Sequence, residues 1–184
     1  MVYLNDDIAH FDFEAALPLL SAQRREQALK FSHELGRKTC AAAYLLLREG
    51  LRREYGIEEP PLFGYEPHGK PFLADHPDIH FNMSHCREAV LCVLSDRPVG
   101  ADVESIGRHK DSLAAYTMSE AEREAIAASQ RPDVEFTRLW TMKEALLKLT
   151  GEGLRSDMKS VLDNRKKIFT TVNEKKGYIY SVVY

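Results

Sequence analysis

Val99-Gly100-Ala101-Asp102-Val103-Glu104 carries the reading of the fold. Alternate side chains of an extended chain point to opposite faces, so Asp102 and Glu104 share one face and Val103 takes the other. The stretch follows a turn at Ser95-Asp96-Arg97-Pro98, which ends one run of structure and opens another. Upstream, extended segments are expected at Ile79–Met83 and Ala89–Leu94, preceded by a helix from about Arg37 to Tyr55. In that helix Ala41, Tyr44, Leu45, Arg48, Leu51 and Tyr55 recur near helical spacing, and Gly56 stops it. Downstream, the spacing predicts helices near Leu113–Tyr116 and Glu120–Ser129. The second has Ser119 as N-cap and Glu122 completing a capping box. A further helix over 133–150 closes at Gly151 and Gly153, and an alternating tail, 167–172 and 178–184, forms a hairpin or meander. Residues 13–33 are expected to be helical with Pro18 in an early turn, and Leu62–Tyr65 a short strand between loops rich in Pro and Gly.

Both halves thus run from a long helix with an apolar stripe into extended segments. A boundary falls near Ser95–Pro98, dividing the chain into an N-terminal part at 1–96 and a C-terminal part at 97–184 that carries the acidic strand. The chain has 184 residues, 44% hydrophobic and 29% charged, with net charge −3. That composition suits a packed globular protein, and the slight acidity argues against a general nucleic-acid binder. No apolar run approaches the roughly 20 residues of a membrane span. The start of the chain lacks a basic, apolar leader. The three cysteines, Cys40, Cys86 and Cys92, include no Cys-x-x-Cys pair, which favours a reducing, cytoplasmic setting.

Several groups could carry chemistry. Two carboxylates side by side on a strand repel unless a cation or proton lies between them, and hard oxygen ligands of this kind suit magnesium; a solvated edge strand would look the same. Trp140, Glu144 and Lys148 lie four apart on one helix face, where Glu144 and Lys148 would also make an ordinary intrahelical ion pair. In Phe81-Asn82-Met83-Ser84-His85, Asn82 and Ser84 share a face and His85 ends the strand. A histidine there can donate to a phosphate oxygen, or simply finish a turn. A His85–Cys86 nucleophilic pair is poor, because neighbours on an extended chain point apart. Gly69-Lys70-Pro71 offers a close backbone approach and a point charge for an anion. Arg24, Arg37 and Lys38 sit near helix ends, as phosphate contacts or as surface charge. The glycine-rich loops that usually cradle nucleotides are missing.

In this order, Gly69-Lys70-Pro71, Phe81 to His85, Gly100 to Glu104, Trp140-Thr141-Met142-Lys143-Glu144 with Lys148, and Gly151-Glu152-Gly153-Leu154, the sequence resembles the Sfp-type 4′-phosphopantetheinyl transferases over about residues 20–160. The resemblance implies a monomer of two similar α+β lobes related by pseudo-twofold symmetry, with magnesium and coenzyme A at their junction. It assigns Asp102, Glu104 and Glu144 to the metal, and Glu144, Lys148 and His85 to catalysis. Arg24, Arg37, Lys38, Gly69, Lys70, Pro71, Ser84, His85 and Lys148 fall to coenzyme A. The activity it implies is transfer of phosphopantetheine to a serine of an acyl or peptidyl carrier protein. A basic stretch from Lys159 to Lys167 would help that acidic partner dock, and a solvated hairpin turn at Asp163-Asn164 accounts for the same residues equally well. Ala101 stands where a larger aliphatic is common, and Gln27 where some members carry a lysine. A non-catalytic module binding coenzyme A or a carrier is the alternative, disfavoured by retention of all three carboxylates and Lys148.

Overall fold

The computed structural model describes residues 1–107, 111–151, 157–163 and 166–184. One antiparallel sheet has the order β1 (Val2–Asn5), β5 (Val90–Ser95), β4 (His80–His85). A second has the order β6 (Gly100–Ser105), β8 (Tyr178–Val183), β7 (Ile168–Asn173). Between the first sheet's strands run α1 (Phe13–Ala16), α2 (Ala22–Leu29), α3 (Glu34–Tyr55) and a small hairpin of β2 (Phe63–Tyr65) and β3 (Pro71–Leu73). Within the second half lie α4 (Asp111–Thr117), α5 (Glu120–Ala128) and α6 (Pro132–Thr150). The class is α+β, as the resemblance implies.

Burial follows from alternation. Every residue of β5 is buried, which fits a strand covered on both faces. Leu91 and Val93 join Val99, Ala101, Val103 and Val182 in a core between the two sheets. On the other face Cys92 and Leu94 pack with Leu47 and Leu51 of α3. The second sheet repeats this: Ala145, Leu146 and Leu149 of α6 pack on Val183 and Ile168. The layers therefore run helix, sheet, sheet, helix. Asp102 and Glu104, one residue out of phase with Ala101 and Val103, are left facing α6.

Gly100 sets how close α6 can come. A Cβ there would stand 2.0 Å from the Ala145 carbonyl oxygen and 2.5 Å from the Leu149 nitrogen. Only glycine lets the helix backbone lie directly on the strand, and that contact brings α6 over the acidic face. Both long helices end at a glycine in the left-handed region, Gly56 (φ 69°) and Gly151 (φ 71°), whose N–H groups close the last turn on the Arg52 and Leu147 carbonyls. Ser119 and Glu122 form the expected capping box on α5. The two ends of the chain are tied together as well. Lys176 donates to Asp6 Oδ1 at 2.7 Å, and the Tyr178 hydroxyl donates to Asp6 Oδ2 at 2.9 Å, which holds the aspartate below the usual carboxylate range.

Three expectations need correction, and one strand was not foreseen. The helical stretch 13–33 is broken: α1 passes into a 3-10 turn at Leu17–Leu19, and α2 restarts behind Ser21, whose hydroxyl accepts from the Arg24 amide. Helix α3 begins at Glu34, earlier than Arg37, because the His33 ring caps it by accepting from the Gly36 amide. Pro71 opens a strand rather than lying in a loop; its missing N–H is tolerated at the end of a two-stranded ladder. Strand β1 had no strong signal in Val2-Tyr3-Leu4-Asn5, and owes its extended form to pairing with β5. Gly153 and the rest of Glu152 to Leu154 lie outside the described residues, as do Asn164 and Arg165 of the basic stretch. Among the described residues no helix is long and apolar enough to cross a membrane.

Candidate active site

The two sheets meet where β4 lies beside β6. The Asn82 side-chain oxygen accepts from the Ala101 amide at 3.2 Å, and Ser84 donates to Asp102 Oδ1 at 2.8 Å. Asn82 and Ser84 are both buried, on the shared face that strand alternation gives them. Above this seam lies α6, held close by Gly100. Its face of Trp140, Glu144 and Lys148 looks down on the acidic strand: the Trp140 indole N–H donates to Glu104 Oε1 at 3.2 Å, and Lys148 Nζ reaches Asp102 Oδ1 at 2.6 Å and Ser84 Oγ at 2.9 Å. The shared helix face is thus real, but Lys148 turns to Asp102 and Ser84, replacing the intrahelical pairing with Glu144 as its strong contact.

The electrostatics are those of crowded carboxylates. Burial, then the Asp102 charge, pushes Glu104 up to about 7, against the Trp140 hydrogen bond and the Lys148 ammonium, which favour its ionised form. Glu144 is raised by burial first and by Asp102 second, with Lys148 opposing. Asp102 is 2% exposed. Among the described residues its Oδ2 and the Oε1 of Glu144 are buried acceptors without a hydrogen-bond partner, an arrangement that is costly unless something fills it. His85 ends β4 at an exposed position; desolvation by its surroundings and then the Lys148 ammonium hold it below the ordinary histidine range, with Asp102 opposing.

Beside this cluster is a cavity of about 370 Å³, lined by His68, Gly69, Lys70 and Pro71 of the small hairpin, Asn82 and Met83 of β4, and Glu144, Leu147, Lys148 and Gly151 of α6. It falls within the volume range of small-molecule sites. Lys70 lines it together with Lys148 and donates to the Leu149 carbonyl at 2.9 Å, one of the carbonyls that lack an intrahelical donor at the end of α6. Partial burial lowers its affinity for the proton, and Glu66 partly offsets this.

The structure therefore brings together Asp102, Glu104, Glu144, Lys148 and Ser84, with His85 adjoining and Gly69, Lys70 and Pro71 lining the cavity. Arg24, Arg37 and Lys38 do not line it. Arg24 is nearly buried over the rings of Tyr44 and Phe63, at 5.5 and 5.0 Å. Arg37 donates to the Phe31 carbonyl and Lys38 to the Ala9 carbonyl, so both fasten the start of α3. Sequence reasoning missed Lys143. It is fully buried, pairs with Glu122 at 2.8 Å and donates to the Met158 carbonyl at 2.7 Å. It locks α6 to α5 and to the turn at Met158–Asp163, next to Glu144. A lysine one position from a helix's polar face gives no sequence signal of burial unless its acidic partner is already known.

As they stand, no three His, Cys, Asp or Glu side chains among the described residues form a cluster that could hold a metal ion; Lys148 stands against Asp102. The donor set itself fits a hard divalent cation: all oxygen, from β6 and α6, with two buried acceptor atoms unpartnered among the described residues.

Residues 98–182, from the acidic strand through α6 to the last strand, match the 4′-phosphopantetheinyl transferase superfamily, an enzyme class that transfers a group. The chain is 31% identical over 160 residues to the 4′-phosphopantetheinyl transferase psf-1 of Bacillus pumilus, covering 85% of this chain and 69% of that one. It is 29% identical over 157 residues to a 4′-phosphopantetheinyl transferase of Bacillus subtilis, covering 83% and 70%. With HetI, a 4′-phosphopantetheinyl transferase of Nostoc, it shares 33% identity over 144 residues, covering 73% and 61%. The chain belongs to the 4′-phosphopantetheinyl transferase family, and its activity is transfer of the 4′-phosphopantetheinyl group.

Proposed function

We propose that the seam between β4, β6 and α6 performs this transfer from coenzyme A to a serine hydroxyl of an acyl or peptidyl carrier protein, with magnesium bound by Asp102, Glu104 and Glu144. The observation that carries the reading is Lys148 seated on Asp102, with the crowded, proton-holding Glu104 and Glu144 beside it, where Glu144 and Lys148 line a cavity sized for a small ligand. When bound, magnesium would neutralise charge on the donor's pyrophosphate and fix its geometry. The protein's own groups do the rest. Lys148 and His85 approach the phosphates, and Lys70 with the Gly69–Pro71 turn and Ser84 hold the nucleotide end. Arg24 and the Arg37/Lys38 pair belong to this reading only as phosphate contacts that need their present partners to be exchanged.

Glu144, whose affinity for a proton is raised by burial, takes the proton of the attacking serine, directly or through a water. The serine oxygen bonds to the phosphorus that bears pantetheine, and the bond from that phosphorus to the bridging oxygen breaks. The displaced 3′,5′-ADP carries away the electron pair. The carrier becomes its holo form.

The halves 1–96 and 97–184 are the two lobes of this reading. Each orders its strands as first, last, penultimate, and each lays its long helix on the outer face of its sheet. That shared plan supports reading them as related by pseudo-twofold symmetry, with the donor at their junction. A monomer working in the cytoplasm is the setting, in keeping with three unpaired cysteines.

The test is incubation with coenzyme A, magnesium and an apo carrier domain, read by mass spectrometry. A phosphopantetheine mass increase on the carrier serine, lost on chelation, is expected. Failure with carriers of several pathways, or full activity in excess chelator, would sink the reading or its metal.

A further inference from the structure

We propose that Lys148 is a built-in competitor for the cation. With no donor present its ammonium compensates Asp102, and the donor's phosphates draw it away so that the carboxylates open to the metal. This rests on the metal reading above and deepens it, by making the occupancy of the site depend on the donor. The lysine is already where a cation is needed. Its Nζ lies 2.6 Å from Asp102 Oδ1 and 2.9 Å from Ser84 Oγ, both groups buried. It also lines the cavity, and its side chain is 32% exposed against 3% for Asp102. The ammonium can therefore leave Asp102 for the cavity by rotating a flexible four-carbon stem, with no movement of α6.

The lysine only half-satisfies the acidic pocket. Among the described residues Asp102 Oδ2 and Glu144 Oε1 remain buried without partners, and Glu104 keeps its indole contact. A single positive charge facing three carboxylates leaves an excess that a divalent cation would remove. Lys70 does not share the task, since its Nζ is committed to the Leu149 carbonyl. An anion in the cavity gives Lys148 an alternative partner, and a divalent cation on the carboxylates removes its need for the present one. Each ligand thus helps the other to bind, and by linkage the help is reciprocal.

The test measures Mn²⁺ binding by electron paramagnetic resonance on the full chain. Wild type, Lys148→Met and Lys148→Arg are titrated with and without coenzyme A, and coenzyme A alone serves as the blank. Without coenzyme A, Lys148→Met should bind Mn²⁺ roughly tenfold or more tighter than wild type, since a full charge a few ångströms from the site is gone. Lys148→Arg, which keeps the charge, should stay near wild type. Coenzyme A should tighten Mn²⁺ binding to wild type far more than to Lys148→Met. Equal or weaker Mn²⁺ binding by Lys148→Met, while wild type with coenzyme A binds the ion, would overturn the competitor role and leave the metal site standing. No binding by any of the proteins beyond the blank would overturn the metal reading itself. Lys148→Gln gives the same comparison if the methionine variant folds poorly, with near-ultraviolet circular dichroism as the check.

Discussion

Replacing Gly100 with alanine tests how the site is built, because it changes no charged or reacting group. The added Cβ would sit 2.0 Å from the Ala145 carbonyl oxygen and 2.9 Å from the Leu149 Cα, and contacts below 3.0 Å are essentially never seen. Both are backbone atoms of α6, so no side chain can rotate aside. The helix must retreat from β6 by about 1 Å to restore contact. Overpacking of this kind costs about 1–3 kcal/mol. In a chain of this size that lowers the melting temperature by roughly 2–4 °C per kcal/mol, so Gly100→Ala should melt about 2–12 °C below wild type. The functional loss should be disproportionate. Glu144 and Lys148 ride on the helix while Asp102 and Glu104 stay on the strand, and a 1 Å misplacement can cost about 100-fold in rate. The assay is kcat/KM for phosphopantetheine transfer below both melting transitions, beside circular dichroism to confirm a folded chain. Wild-type kcat/KM with a lowered melting temperature would show that α6 need not lie at its observed height, and that reasoning would fall.

Glu144→Gln keeps shape but removes the base and one oxygen ligand. Transfer should fall by about 100-fold or more, while calorimetry finds coenzyme A binding largely retained; full activity would take Glu144 out of the mechanism. Glu104 gives a pH prediction in chelator. Its folded-state pKa of about 7 lies above the ordinary 4.5, so the folded protein holds a proton that the unfolded chain releases, and stability drops as pH rises from about 4.5 to about 7. Glu104→Gln should therefore melt above wild type at pH 8, with the gap closing toward pH 5; a gap independent of pH would contradict the assigned proton affinity. Lys143→Met leaves the Glu122 carboxylate with its Ser119 amide contact but no balancing charge, and the Met158 carbonyl without its donor. It should cost about 3 kcal/mol in stability, seen as a lowered denaturation midpoint, and no change would mean that the buried pair is not needed to hold α6.

Most of the fold was legible because its signals are local. The alternation through Val99–Glu104, the capping box at Ser119 and Glu122, and the glycine after each long helix predicted elements to within a few residues. Strand β1 was not legible, since four residues with no clear pattern become a strand only when β5 supplies the partner. The break between α1 and α2 turned on the Ser21 cap, a choice between two local hydrogen-bonding options in one polar stretch. In the candidate site, alternation put Asp102 and Glu104 on one strand face and helical spacing put Trp140, Glu144 and Lys148 on one helix face, while their joint role came from the resemblance alone. What the sequence hid was partnership across the fold: that Lys148 would choose Asp102 over Glu144, that Lys143 would be buried, and that Gly100 would decide the height of a helix lying about forty-five residues downstream. Such choices depend on distances between segments far apart in the chain, and no periodicity encodes them.

Diffraction from the protein crystallised with coenzyme A and Mn²⁺ in place of magnesium tests the central claim most directly, using the anomalous signal to locate the ion. One peak is expected within about 2.2 Å of oxygens from Asp102, Glu104 and Glu144, shared with the pyrophosphate, and Lys148 Nζ on a phosphate oxygen instead of Asp102. An ion held by the phosphates alone, with the three carboxylates turned elsewhere, would contradict it.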